Sequence, residues 1–330
     1  MNNNRLWRWL GLIFVLSFGA LGYLGWQIYL TAPPIPKAVT TIHGDVVFTG
    51  EQIQAGQQAW LSAGGQQLGT VWGHGSYVAP DWSADWLHRE AVALQDIRTA
   101  DHVKSGATLG DTDRAAIAAT LKQEMRRNTY NDASGVITVS PQRAKAIRGV
   151  AEHFDTLFGS DPNLAKLREQ YAMGTGVLPA KVDRQALTAF FFWTSWAAAT
   201  DRPGESDLSY TSNWPHEPLV GNTMTGSAAM WSMASIVLLI AGIGAMLWFH
   251  GSSKHEPDPE PLKADPFVGV VATPSMKATR KYFFAVVGLI LLQIGMGAIT
   301  AHYAVEGDAF FGLPLAQVLH YVVSRTVHTQ

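Results

Sequence analysis

The chain has 330 residues, enough for one large domain or two ordinary ones, with 47% hydrophobic residues, only 15% charged residues and a net charge of −2. Soluble domains carry about 25% charged residues, so part of this chain belongs in lipid, and the near-neutral balance argues against a nucleic acid or other polyanion as partner. There is no cysteine. That removes disulfides, thiolate nucleophiles, iron–sulfur ligation and covalent c-type haem attachment together. Any metal or haem must be held by His, Met, Tyr, carboxylate or carbonyl groups. The twelve tryptophans suit surfaces where apolar and wet environments meet.

Three stretches free of Asp, Glu, Lys and Arg are long enough to span a bilayer, which takes about 20 apolar residues. Their apolar cores are residues 10–30, 228–249 and 282–300. The first could be a signal peptide with Arg5 and Arg8 as its basic start. Its apolar run is longer than the roughly 7–15 residues of such a segment, and Pro33 and Pro34 follow the one small-residue site, so an uncleaved anchor is the better reading. Arg5 and Arg8 then hold the N-terminus in the cytoplasm. Residues 31–226 lie outside, and the loop 251–281, with Lys254, Lys263, Lys277, Arg280 and Lys281, lies inside. The expected division is an anchor at 1–30, an extracytoplasmic domain at 31–226, a second span at 227–250, the cytoplasmic loop 251–281, and a third span with the start of a fourth at 282–330.

Within the outer segment, 81–100 and 111–127 are periodic helical stretches with acidic starts. Residues 131–140 (NDASGVITVS) carry the one clear turn-plus-strand signal. Ser140-Pro141 is an N-cap followed by proline at the first helical position, and Gly159 closes that helix. Residues 185–200 are uncharged but too short to span, which predicts a core helix packing against the membrane helices. The loop 201–226, rich in Pro, Gly and Asn, is expected to be ordered by its Trp and His residues. Residues 256–261 (EPDPEP) form a solvated linker. No internal repeat is present.

Four constellations carry candidate chemistry. Residues 64–86 (GGQQLGTVWGHGSYVAPDWSADW) combine closely spaced glycines with aromatics. This is either a buried tight loop or a place where backbone carbonyls approach a ligand. His302 and Glu306 stand four apart at the outer end of the third span, on one face of a helix. They could accept protons from a bound hydroxyl, or merely snorkel to water. His328 lies in an apolar helix, where a neutral imidazole can ligate haem iron or be a satisfied core residue. Arg325 is one turn before it and suits a propionate contact. His216 and Glu217 are adjacent and point different ways on most backbones, which favours a structural loop. His250 and His255 flank the second span at its cytoplasmic end. His74 and His88 have no assigned role, and His320 could sit near the His302 and Glu306 pair.

The stretch 64–86, together with 32–36 (APPIP), 189–199 (AFFFWTSWAAA), 213–222 (NWPHEPLVGN), 280–307 and 325–330 (RTVHTQ), resembles the quinol-dependent nitric oxide reductases, relatives of the haem–copper oxidases. More distantly, 64–86 resembles the haem-c-carrying small subunit of the cytochrome-dependent reductases. Aligning residues 73–77 with the GxGxY segment of that subunit places Gly65, Leu68 and Gly69 where its CxxCH ligands would be. The resemblance implies a mainly α fold: transmembrane helices plus an extracytoplasmic cytochrome-c-like helical domain lacking haem c. It implies that His302 and Glu306 line a quinol site, that His328 is an axial ligand of a low-spin haem b with Arg325 on a propionate, and that the Gly75 carbonyl and Tyr77 hold a Ca²⁺ bridging haem propionates. The family reaction turns two NO into N₂O, in denitrifying bacteria, with quinol as donor.

The resemblance also implies residence in the bacterial cytoplasmic membrane, with the lipid bilayer, quinol, the remainder of the catalytic subunit and a homodimer as partners. The high-spin haem and the non-haem iron are expected only in a part following His328, so the sequence is expected to be a truncated N-terminal portion with no catalytic residue of its own and no activity alone. Two other readings stay open: a non-enzymatic, membrane-anchored assembly or regulatory module of a respiratory complex, and a quinol-binding subunit feeding a separate haem protein.

Overall fold

A computed structural model describes residues 3–75, 79–106, 108–252, 262, 264–265, 267–306, 309–310, 313–315, 318–319 and 321–329. In chain order it contains α1 (Asn3–Leu30), β1 (Ala38–Thr41), β2 (Val46–Thr49), α2 (Gly50–Ser62), β3 (Thr70–Val71), β4 (His74–Gly75), α3 (Trp82–Lys104), α4 (Asp111–Arg126), β5 (Tyr130–Asn131), β6 (Val136–Val139), α5 (Pro141–Leu157), α6 (Ala165–Gln170), α7 (Lys181–Ala199), α8 (Gly226–Ser252), α9 (Pro274–Glu306), β7 (Ala309–Phe310), β8 (Leu313–Pro314) and α10 (Tyr321–Thr329). The protein is mainly helical. Among the described residues, three helical segments are long and apolar enough to cross a membrane: Trp7–Leu30, Gly226–Ser252 and Pro274–His302. Their most apolar stretches carry no buried residue, as lipid-facing helices require.

The chain divides into two compact units, Met1–Leu167 with Thr175–Thr223, and Arg168–Gly174 with Met224–Gln330. The first is built around α7. From Ala186 to Ala199 that helix presents apolar or hydroxyl side chains in every direction, and nearly all are buried. A helix apolar all round must be enclosed. Here α2, α3 and α5 enclose it. The expectation that this segment packs on membrane helices is thereby corrected: its partners belong to its own domain. Close approach by α2 depends on Gly56, where a Cβ would run into the Ala186 carbonyl and the Phe190 Cβ.

The centre is aromatic. Trp82 stacks on Phe191 with ring centroids 5.6 Å apart, and Trp86 stacks on Phe154 at 5.3 Å. Phe158 meets Trp82 edge-on at 5.3 Å. Both indoles of α3 are fully buried, and each finds a polar partner: Trp82 donates to the Leu68 carbonyl at 2.6 Å and Trp86 to Glu90 Oε2 at 2.8 Å. Glu90, completely buried, also accepts from Arg143 Nε at 2.7 Å. The pair joins α3 to α5 beneath the ring cluster.

A four-stranded sheet, in the order β2-β1-β6-β5, lies in the same unit. Its hairpins are antiparallel, and β1 runs parallel to β6 with Val39 opposite Ile137. The turn-plus-strand signal at 131–140 is the hairpin β5–β6, closed by Asn131 Oδ1 accepting from the amides of Ala133 and Ser134. Ser140 caps α5 by accepting from Arg143 N at 3.1 Å.

Removing one partner from a buried ion pair strands the other. Glu90→Ala is expected to destabilise the domain by about 3–5 kcal/mol, read from tryptophan fluorescence during urea unfolding.

Candidate functional site

In the first unit the glycine-rich segment is tied down by Asp81, the N-cap of α3. Asp81 Oδ2 accepts from Gly73 N at 2.7 Å and from the Thr70 hydroxyl at 2.6 Å. Its Oδ1 accepts from Ala84 N at 2.9 Å and from the Ser83 hydroxyl. Two glycines are required by geometry. Gly69, at φ +84°, faces the Trp82 indole, whose Nε1 would lie 2.5 Å from an added Cβ. Gly75, at φ +140°, is pressed against the Gly69 and Gln66 carbonyls. The loop is thus a backbone wrap over a buried tryptophan, in keeping with the buried-loop alternative. Gly75 sits within that wrap, while Tyr77 lies outside the described residues. Among the described residues, no group of three or more His, Asp or Glu side chains could hold a metal ion.

Two further links secure this face. Trp72 Nε1 donates to the Thr194 carbonyl at 2.8 Å, and Trp193 Nε1 donates to the Pro34 carbonyl at 2.9 Å. The second ties the proline-rich linker that follows α1 directly to α7.

The loop 201–222 is ordered, but by different residues from those expected. Arg126, at the end of α4, spreads its guanidinium over Asn222 Oδ1 (2.9 Å), Asp201 Oδ1 (2.5 Å) and Asn213 Oδ1 (3.2 Å). Arg202 donates to the carbonyls of Ser209 and Tyr210. By contrast Trp214 and His216 are exposed. A planar fork of donors can satisfy several loop oxygens at once, which indole and imidazole cannot. His216 and Glu217 do point apart: Glu217 is buried, accepts from Leu219 N, and meets His88 Nδ1 at 2.9 Å. His88 is therefore a partner of the loop. His74 lies exposed on β4.

Between α3 and α5 runs an open groove of about 400 Å³, lined in part by His88, Arg89, Asp96 and His153. Burial pushes the His153 imidazole below its usual pKa; the nearby Arg89 guanidinium adds to this and Asp85 opposes it. Burial likewise raises the Tyr210 phenol, with the Asn128 hydrogen bond opposing.

In the second unit, His302 and Glu306 both lie in the last turns of α9, which runs unbroken through Glu306, so the helical repeat sets them on one side. His302 is half-buried, and the Glu306 side chain lies outside the described residues, as does His320. α10 packs against α9. His328 Nδ1 lies 3.0 Å from the Gln293 carbonyl, and the Gln293 side-chain amide donates to the His328 carbonyl at 2.9 Å. One turn further along, the Thr300 hydroxyl donates to Ser324 Oγ at 3.2 Å. Arg325 is half-buried three residues before His328. His302 is five residues beyond Gly297, the point where His328 meets α9, or roughly 7.5 Å along the axis.

A haem-ligating imidazole needs one nitrogen lone pair free and its other nitrogen held. A carbonyl can only accept, so Nδ1 carries the proton, and the neutral ring keeps its lone pair on Nε2. His328 fits an axial ligand on that test.

These features define a class: a helical domain joined to helices long and apolar enough to cross a membrane. The model for the NorB cytochrome c-like domain of nitric oxide reductase matches residues 36–216, more than half of the 330 residues. The chain belongs to that family, and with it to the membrane-bound, haem-containing nitric oxide reductases. Comparison with curated proteins gives no match.

The depressed pKa of His153 has a stability consequence. As pH falls through about 6.5 the unfolded chain takes up a proton that the folded one resists, so stability falls over that range and is unaffected above it. His153→Gln is expected to flatten the loss of thermal stability between about pH 7 and pH 5, measured by differential scanning fluorimetry; an unchanged slope would exclude His153 as its source.

Proposed function

We propose that this chain is the quinol-oxidising part of a nitric oxide reductase that converts 2 NO, 2 electrons and 2 protons to N₂O and water. The observation that carries this reading is a cytochrome c-like domain whose sequence has no cysteine to attach a haem c. Electrons therefore enter by another route, and the end of α9 offers the chemistry for quinol. Two-electron oxidation of a quinol releases two protons. His302 and Glu306, four residues apart in α9, supply an imidazole and a carboxylate, groups suited to hydrogen-bond its hydroxyls and accept them. The chain acts in the cytoplasmic membrane of a bacterium. Arg5 and Arg8, and the lysines of 251–281, favour an N-terminus inside and the domain 31–226 outside.

His328 Nε2 is the proposed axial ligand of haem b, with Arg325 as a propionate partner. The bound haem would supply a one-electron acceptor near the quinol site. The Gly75 carbonyl and Tyr77 are proposed as Ca²⁺ ligands, to which a hard cation would add further oxygens.

The test uses the full-length enzyme in membranes. Nitric oxide consumption is expected with a reduced quinol analogue and not with reduced cytochrome c. His302→Ala or Glu306→Ala should lower the quinol-driven rate about 10²-fold while leaving the haem spectra intact. A cytochrome-driven rate equal to the quinol-driven one would refute the donor assignment. Loss of haem in either variant would make these residues structural.

A further inference from the structure

The contact between α9 and α10 is built around a missing side chain. A Cβ placed on Gly297 would stand 2.5 Å from both Cε1 and Nδ1 of His328 and 3.2 Å from its Cγ. A side chain at 297 would force the His328 ring to shift, so the imidazole occupies the volume that side chain would fill. The other glycines in this part of the helix are different: a Cβ at Gly288 or Gly295 meets nothing within 4 Å. The space at Gly297 lets the ring reach the Gln293 carbonyl, 3.0 Å from Nδ1. By the helical repeat that carbonyl also accepts from the amide of Gly297, and its two lone pairs serve both donors. The Gln293 side chain closes a second bond onto the His328 carbonyl at 2.9 Å. Ser324, fully buried, meets Thr300 one turn away and fixes the register of α10 on α9.

We propose that Gly297 and Gln293 are positioning residues for the haem ligand. Gly297 provides the slot, the Gln293 carbonyl fixes the proton on Nδ1 and the plane of the ring, and the Gln293 amide holds the backbone that carries it. Nε2 is thereby presented as the ligating atom before haem arrives. The inference rests on reading His328 as an axial ligand. Groups that hold the distal nitrogen of a ligating histidine are typically worth 10–100-fold in affinity.

The experiment compares Gly297→Ala, Gly295→Ala, Gln293→Ala and His328→Ala in the full-length membrane protein extracted in detergent. It reads haem content by pyridine haemochrome and the g-values of the low-spin haem by electron paramagnetic resonance, which respond to ring orientation. Gly297→Ala is expected to weaken haem retention about tenfold or more and to move the low-spin g-values, Gln293→Ala to move them in the same direction by less, and Gly295→Ala to leave both unchanged. Gly297→Ala indistinguishable from Gly295→Ala overturns the proposal. If Gly297→Ala yields no folded protein, Gln293→Ala decides, and unchanged g-values there overturn it. Retention of the low-spin signal in His328→Ala overturns the ligand assignment itself, a separate failure.

Discussion

The domain depends on enclosing a helix that has no polar face. From Ala186 to Ala199, α7 cannot lie on a surface, and it is too short to cross a bilayer comfortably. Everything around it answers that demand. α2 comes close through Gly56, and α3 and α5 bring tryptophan and phenylalanine rings that fill the remaining volume. Among the polar groups buried with it is the pair Glu90 with Arg143, in which Glu90 also accepts from the Trp86 indole. Large rings suit this task because each buries much apolar area with few rotatable bonds to freeze.

The same enclosure explains the segment that looks most like a cofactor loop. Its glycines are needed because the backbone passes directly over the Trp82 indole and folds back on itself at Gly75. Asp81 then serves as helix cap and loop clamp in one side chain. The domain is of a cytochrome c-like family, yet its middle is made of side chains in mutual contact. Trp193 ties this domain to the linker behind the first membrane helix.

How much of this was legible in the sequence follows the range of the interactions. The three spans were legible, because lipid demands long uncharged runs, and so were the start of α5 at Ser140-Pro141 and the hairpin after Asn131, because caps and turns are local chemistry. β1 and β2 were not. Each has four residues, and the parallel pairing of β1 with β6 joins Val39 to Ile137, a distance along the chain that leaves no local pattern. The order of the 201–222 loop was legible but not the side chains that impose it, since nothing near Arg126 announces that it reaches Asn213 and Asn222. Gly297 was invisible for another reason: glycine is common in apolar helices, and only the approach of His328 distinguishes it from Gly295. His302 and Glu306 were legible as an i, i+4 pair, and α9 does run through both.

This cytochrome c-like domain closes on an aromatic core made of its own side chains. The direct measurement is amide hydrogen exchange across residues 186–199 in protein made with and without haem supply. These amides are expected to be among the slowest to exchange in both preparations, with equal protection. Loss of their protection when haem is withheld would contradict a haem-independent core.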